Sequence, residues 1–494
     1  MRRVTAKIIA TVLPVLLLCS LVLSGCKKEE GTIWVLTEAD CSKTITTNGQ
    51  FDIVVEQFQE KYEDVEVIVE RLPLDEEARE IRFQQLRTEI MAGKGPDVFL
   101  LPTSMTNLIT DDDSMPEIFY LESLFPDVNQ AMHNGLFLDI SELYDKDKKL
   151  DKENLLTAVM DAGKVGDARY TLPLRYNIPV IFLDVARLEE YGIDRTIYQQ
   201  GIIDLMNDVT TCGLDWLVAG AETIELFDYI LNYFPEVIDY QNQEVLIARE
   251  ELLAFLNSFC AMEDAANGIE APEPHVYGSM LWDEEEMSTY WMLPSNSNGT
   301  AIGGMDDVIN NVILSQAKNL EVEILPLAAT DGSVIADVTF FGAIGANCEN
   351  PELAYELLRP LLMEDAQWQN NRVRNITPLT YMSEGWPVRA RGAGYQTYRN
   401  QFQYQYVDDL DGTRTPANVK EVINTVLRVC NVYDEDIEQL FAIDKARFPI
   451  SLEFEFGITI RWQYGVRDAA KDLTQLEPLV DDFVKKLQYH VAEG

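Results

Sequence analysis

The chain has 494 residues, 47% of them hydrophobic and 10% aromatic, and a formal net charge of −44. That much apolar material excludes a disordered polyelectrolyte, and so acidic a surface excludes nucleic acid or an anionic lipid sheet as the main partner. The length suits two or more domains.

Arg2, Arg3 and Lys7 form a basic head, and residues 8–22 are almost wholly apolar, the two leading regions of a secretory signal. The run is too short and too early for a membrane span. Leu23-Ser24-Gly25-Cys26 follows, which resembles the lipobox of bacterial lipoproteins: small residues admit the backbone to a peptidase cleft, and the cysteine thiol takes the lipid. The expectation is a signal peptide over 1–25, acylation of Cys26, and a tether over 26–31. The mature protein then sits on the extracytoplasmic face of the cell membrane, held by lipid. Loss of three basic residues with the signal moves the net charge from −44 to −47.

Residues 31–36 ("GTIWVL") read as a strand, with Trp34 in the core. Residues 51–62 carry apolar residues at helical spacing, and residues 64–72 alternate as a strand does. An acidic start at 75–79 opens a second helix that Gly93 can end, and "PDVFLLP" reads as a buried strand. This alternation predicts a mostly parallel sheet covered by helices. "TDDDSMPE" (110–117) reads as a solvated insertion. Further extended segments are expected over 168–184, 319–328 and 333–347, and Asn350 and Pro351 mark a helix start. From Thr415 the chain reads as largely helical, with an extended patch over 450–460.

Enzyme and metal signatures are missing. His133, His275 and His490 are isolated, with no His-Glu-x-x-His frame. There is no Gly-x-Ser-x-Gly elbow, and "AGKGPD" lacks phosphate-loop spacing. "VDDLDGT" (407–413) puts Val407 and Asn418 where a calcium loop needs acids, so it reads as a plain turn. Among 83 acids no carboxylate pair stands out as a glycosidase centre. Beyond Cys19 and Cys26, the cysteines Cys41, Cys212, Cys260, Cys348 and Cys430 are odd in number and irregularly spaced. They define no zinc site or disulfide framework and read mostly as small buried hydrophobes. No metal and no cofactor are expected.

One combination is specific in its order. "FDIVVEQFQEKYEDVEVIVE" (51–70) followed by "QQLRTEIMAGKGPDVFLLPTS" (84–104) resembles the family 1 extracellular solute-binding proteins of ABC transporters, whose best known members bind maltodextrins and other sugars. "ARYTLPLRYNIPVIFLDVARLEEYGID" (168–194) is similar to the family's first crossing between lobes, with Pro173 and the Tyr176-Asn177 pair closer together than usual. Residues 322–367, including Asn350-Pro351-Glu352-Leu353-Ala354, are similar to the return crossing. Residues 461–491 are similar to the terminal helical stretch. In "GTAIGGMDD" (299–307) Met305 stands near the place where relatives often carry a stacking tryptophan.

The resemblance implies an α/β fold of the periplasmic-binding-protein-like type II: two α/β lobes joined by a hinge, with a ligand cleft between them that closes by bending. Lobe 1 would comprise 32–174 and 322–365, and lobe 2 would comprise 175–321 and 366–494. Open α/β sheets bind ligands at the C-terminal ends of their strands. Loops there offer Glu38, Asp40, Thr103, Ser104, Arg175, Tyr176, Trp291, Met305, Asp306, Phe340, Phe341 and Trp386 as ligand-binding candidates. Flat aromatic faces suit sugar C–H surfaces, and planar polar groups suit hydroxyls. Arg175 is favoured because a guanidinium can fork onto hydroxyls or a carboxylate. The implied function is a non-enzymatic, monomeric, lipid-anchored subunit of an importer. By the resemblance it would capture a small-molecule solute, a carbohydrate in oligosaccharide form, and deliver it to permease subunits. Peptide or polyamine import, an adhesin, or a surface carbohydrate-active enzyme are the alternatives.

Overall fold

A computed structural model describes residues 31–38, 47–73, 75–103, 105–109, 117–121, 123–178, 180–184, 196, 200–211, 230–267, 276–277, 280–281, 322–363, 386–389, 406–408, 414–416, 442–450 and 476–493. The chain opens as β1 (Thr32–Glu38), α1 (Thr47–Lys61), β2 (Glu66–Leu72), α2 (Glu76–Met91) and β3 (Val98–Pro102). This is the order that the periodicity predicts. Asp75 starts α2 by accepting the backbone N–H of Ala78 at 2.9 Å, with Glu76 and Glu77 in the positive first turn. Gly93, at φ +69°, ends it: Gly93 N–H donates to Ile90 O and Lys94 N–H to Glu89 O, the paired bonds of a left-handed helix stop. The chain then turns into β3 at Asp97, which is buried and locked to β1. Its carboxylate accepts the N–H of Trp34 at 2.8 Å, and its own N–H donates to Trp34 O at 2.9 Å.

Two short strands, β4 (Met105–Ile109) and β5 (Glu117–Leu121), pair antiparallel and bracket the acidic segment between them. The short helix α3 (Val128–His133) is capped by Asp127. β6 (Thr171–Asn177) and β7 (Val180–Asp184) follow, then α4 (Ile202–Thr211) and α5 (Arg249–Asn267). The chain returns through β8 (Val322–Pro326) into β9 (Ile335–Ile344) and α6 (Pro351–Leu358), which begins at Pro351 after Asn350 as expected. β10 (Trp386–Pro387), β11 (Lys445–Arg447) and α7 (Leu476–Glu493) complete the set used below. Residues 406–408 and 414–416 also pair antiparallel, around the segment read as a turn.

The main sheet runs β10-β6-β9-β3-β1-β2, with β11 also on β9. β1, β2 and β3 are mutually parallel. β9 enters antiparallel between β3 and β6, so a strand from late in the chain occupies the middle of the sheet. β11 lies parallel to the start of β9, over Ile335 to Asp337, where β3 no longer reaches. The outgoing β7 and the returning β8 pair with each other, antiparallel.

Two separate apolar clusters form. The first holds the sheet and its helices through residues such as Val35, Phe83, Phe99, Phe137, Phe341 and Leu357. The second joins α4, α5 and α7 through Met206, Phe234, Phe255, Phe259, Val480 and Phe483, and it also contains Cys260. Side chains change from one cluster to the other after Ile178, between Leu327 and Val334, and between Phe448 and Ile450. The first two points lie a few residues beyond the expected crossings at 175 and 322, and the third falls inside the stretch expected wholly in lobe 2. Val388, Ala446 and Phe448, expected in lobe 2, pack with the first cluster because β10 and β11 are strands of its sheet. Among the described residues no helix is long and apolar enough to cross a membrane.

Candidate functional site

β1, β3 and β6 all end on one edge of the sheet, and β9 begins there. Register sets the neighbours along that edge. Pro102, Phe340, Arg175 and Pro387 lie in one row, and Val338, Tyr176 and Trp386 in the next. The pairing of β9 with β6 shifts register on either side of Phe340, opposite Pro173 to Arg175. Pro173 has no N–H to give, and such irregularity re-aims the side chains beside it.

Glu38 ends β1 and is nearly buried. Arg79 of α2, itself 2% exposed, meets it with two parallel hydrogen bonds of 2.8 and 2.6 Å and also donates to Pro73 O. Burial pushes the Glu38 carboxyl up from its ordinary value, and the Arg79 guanidinium opposes that shift. Thr103 is buried as well: its hydroxyl donates to Val338 O at 2.9 Å and its N–H to Thr339 O, so it clamps β3 to β9. Tyr176 is 0% exposed and Phe341 1% exposed, both inside the first core. Both strands are buried over runs of consecutive residues, so both faces of the sheet are packed there and neither side chain is open to solvent. Arg175 and Phe340 remain, half-buried and directly opposite each other in register. Arg175 donates one hydrogen bond to Leu174 O at 3.0 Å. Trp386 stands opposite Tyr176 in the backbone ladder. Asp40, Ser104, Trp291, Met305 and Asp306 lie outside the described residues. Trp34 packs against the first core, half-buried, with its indole N–H on Glu70 at 3.1 Å.

The polar groups that sequence reading passed over gather where the chain moves between the two cores. Asp337, at the start of β9, is buried, and burial pushes its carboxyl up to about 6 although Arg447 pulls it down. Arg447 of β11 reaches Asp337 at 3.5 Å and gives its terminal nitrogens to Phe234 O and, at 2.8 Å, to Leu231 O of the second cluster's segment. Asp127 accepts the Tyr240 hydroxyl at 2.6 Å and meets His490 Nε2 at 2.8 Å. His133 stacks on Tyr240 with ring centres 5.1 Å apart. In a chain with 83 acidic residues nothing local distinguishes these few. Only the rarity of histidine could have drawn attention to His490. Among the described residues no group of three or more His, Cys, Asp or Glu side chains is placed to hold a metal.

The fold is that of the type II periplasmic binding proteins: an α/β chain that leaves its first sheet, builds a second core and returns to insert a central antiparallel strand. Two solved structures with TM-scores of 0.50 share it. The cyclic α-maltosyl-1,6-maltose binding protein of Arthrobacter globiformis is 13% identical, with a TM-score of 0.50 over 94% of this chain and 99% of that one. A sugar transporter protein of Rhizobium etli, in an open conformation, is 12% identical, with a TM-score of 0.50 over 93% and 99%. A family 1 extracellular solute-binding protein of Alicyclobacillus acidocaldarius is 14% identical, with a TM-score of 0.47 over 93% and 98%. No protein-family model and no curated protein matches the sequence.

Proposed function

We propose that this chain is the substrate-binding subunit of an ABC importer, anchored through lipid on Cys26, and that it captures a carbohydrate by hinge closure and delivers it to a permease. The fold supports capture between two units, and the Arthrobacter protein of like fold is a binding protein for a cyclic oligosaccharide. The observation that carries the ligand class is the neutralised edge. Glu38, the one described acidic candidate at the strand ends, has both carboxylate oxygens taken by Arg79. A polyamine site needs carboxylates open to its ammonium groups, since charge buried without a partner is costly. Arg175 beside Phe340 offers instead a planar donor next to a flat apolar face, the pairing that a sugar ring with hydroxyls above apolar C–H surfaces uses. Glu38, Thr103, Tyr176 and Phe341 then shape the edge from behind.

The test is a calorimetric and thermal-shift screen of the purified protein against oligosaccharides, peptides and polyamines. Saturable stabilisation by an oligosaccharide alone is expected. Stabilisation by peptides or polyamines alone removes the carbohydrate assignment, and turnover of any ligand removes the binding-protein reading. Replacing Cys26 by alanine should release the protein from the membrane fraction.

A further inference from the structure

Asp127 stands where the first core meets the second. It caps α3, whose Val128, Ala131 and Met132 pack in the first core, by accepting Gln130 N–H at 3.0 Å on Oδ1. Its other oxygen, Oδ2, receives two groups from the second core's side. Tyr240, between Val237 and Ile247 of that core, donates its hydroxyl at 2.6 Å, and His490 of α7 brings Nε2 to 2.8 Å. The Asp127 side chain is 1% exposed and that of His490 5%. A neighbouring contact runs the same way: Gln130 Nε2 donates to His490 O, while Asn129 Nδ2 donates to Phe448 O within the first core's side. Asp127 also bridges Ile450 through the backbone, and the chain changes cores between Phe448 and Ile450. One buried carboxylate oxygen thus ties the two cores together at a crossing.

We propose that Asp127, Tyr240 and His490 form a proton-dependent latch that fixes the two cores against each other and loosens when His490 gives up its positive charge. A buried carboxylate facing an imidazolium is a compensated pair. Facing a neutral imidazole, it is a buried anion held by hydrogen bonds alone, which costs several kcal/mol more in the interior. Imidazole is the side chain whose ordinary titration spans pH 5 to 8.

Among the described residues, the other charged and titratable groups around the cluster are these. His133 on α3, stacked on Tyr240, is held below its ordinary range chiefly by burial, against the pull of Asp127 and Asp239. Burial, reinforced by the Asp127 charge, pushes the Tyr240 hydroxyl well up, so it stays a donor. Arg447 on β11 is engaged by Asp337 and by two backbone carbonyls. On α7, Lys486 pairs with Asp482 at 3.1 Å. Asp239 is exposed and bound to Asn242.

The latch rests on the two-unit reading and not on the ligand being a carbohydrate, so the test uses no ligand. Small-angle scattering of the full chain is compared at about pH 5.5 and about pH 8.5, on either side of the imidazole range, with circular dichroism at both. The wild type should show a reversible rise in radius of gyration at the higher pH with unchanged dichroism. His490→Gln, a neutral donor at every pH, should give the expanded profile at both. Asp127→Asn keeps the helix cap but removes the anion, and should abolish the pH response; it decides the matter if the histidine variant does not fold. The proposal is overturned by a wild-type profile unchanged between the two pH values, by a response that survives Asp127→Asn, or by loss of dichroism at the higher pH.

Discussion

Arg79 and Glu38 face each other through two parallel hydrogen bonds of 2.8 and 2.6 Å, with the Arg79 side chain 2% exposed and that of Glu38 11% exposed. The pair joins α2 to the last residue of β1, so the strand end at the candidate site is held by charge as well as by packing. Removing one partner leaves the other buried and uncompensated. Arg79→Met should therefore lower stability by about 3–5 kcal/mol, whereas replacing both partners with apolar residues of similar volume should cost much less. Chemical denaturation of the two variants measures this; equal losses would show that the pairing itself is not the source.

Asp337 sets a pH window. Its carboxyl is raised from an ordinary 3.8 to about 6 by burial. Between those values the folded state holds a proton that the unfolded state has already lost. Stability contributed by this residue is thus full at the acid end and falls as pH rises from about 4 to about 6, by up to about 3 kcal/mol. Asp337→Asn removes the titration. The stability difference between wild type and variant should change by that order across the window; parallel stability curves would refute the assignment.

Burial separates Phe341 from Arg175 along β9 and β6. Phe341→Ala empties a buried aromatic site and should cost about 3–5 kcal/mol, seen in the unfolding midpoint. Arg175→Ala, at a half-buried position opposite Phe340, should leave the midpoint nearly unchanged and weaken carbohydrate binding ~10-fold or more, as expected for lost hydrogen bonds from a charged donor. Titration calorimetry reads the second effect. A variant at 175 that binds as wild type does would move the site elsewhere.

Gly345 follows β9 and lies against the turn that launches β3, its N–H donating to Asp97 O at 2.9 Å. A methyl group there would stand against the carbonyl oxygen of Pro96. Gly345→Ala should lose at least about 1 kcal/mol in thermal or chemical unfolding, because backbone and not a flexible side chain must give way. An unchanged midpoint would show that this turn yields freely.

The first half of the sheet was legible in the sequence because its signals reinforce one another. Alternation over 64–72 and the stop at Gly93 before Pro96 and Asp97 each mark a boundary, and the structure puts β2, α2 and β3 at those places. β10 and β11 were not legible. They have two and three residues, and their positions come from partners more than a hundred residues away in sequence, Tyr176 and Ile335 among them. The candidate site was legible as an edge but not residue by residue. Arg175 beside Tyr176, and Phe340 beside Phe341, differ in burial, and the sequence does not say where along the two strands the packing opens. The buried carboxylates of Asp127 and Asp337 were hidden among many solvated ones.

The central place of β9 has a consequence for how the chain is made. β3 and β6 do not pair with each other; each waits for β9, which is synthesised only after α4 and α5 of the second core. A polypeptide emerging from its N-terminus therefore carries open sheet edges until Ile335–Ile344 is made, and late, distant pairing of this kind is slow. Open edges invite pairing between chains. The large negative charge gives a half-built molecule the means to keep its neighbours away, which makes acidity a property of assembly as much as of the finished surface.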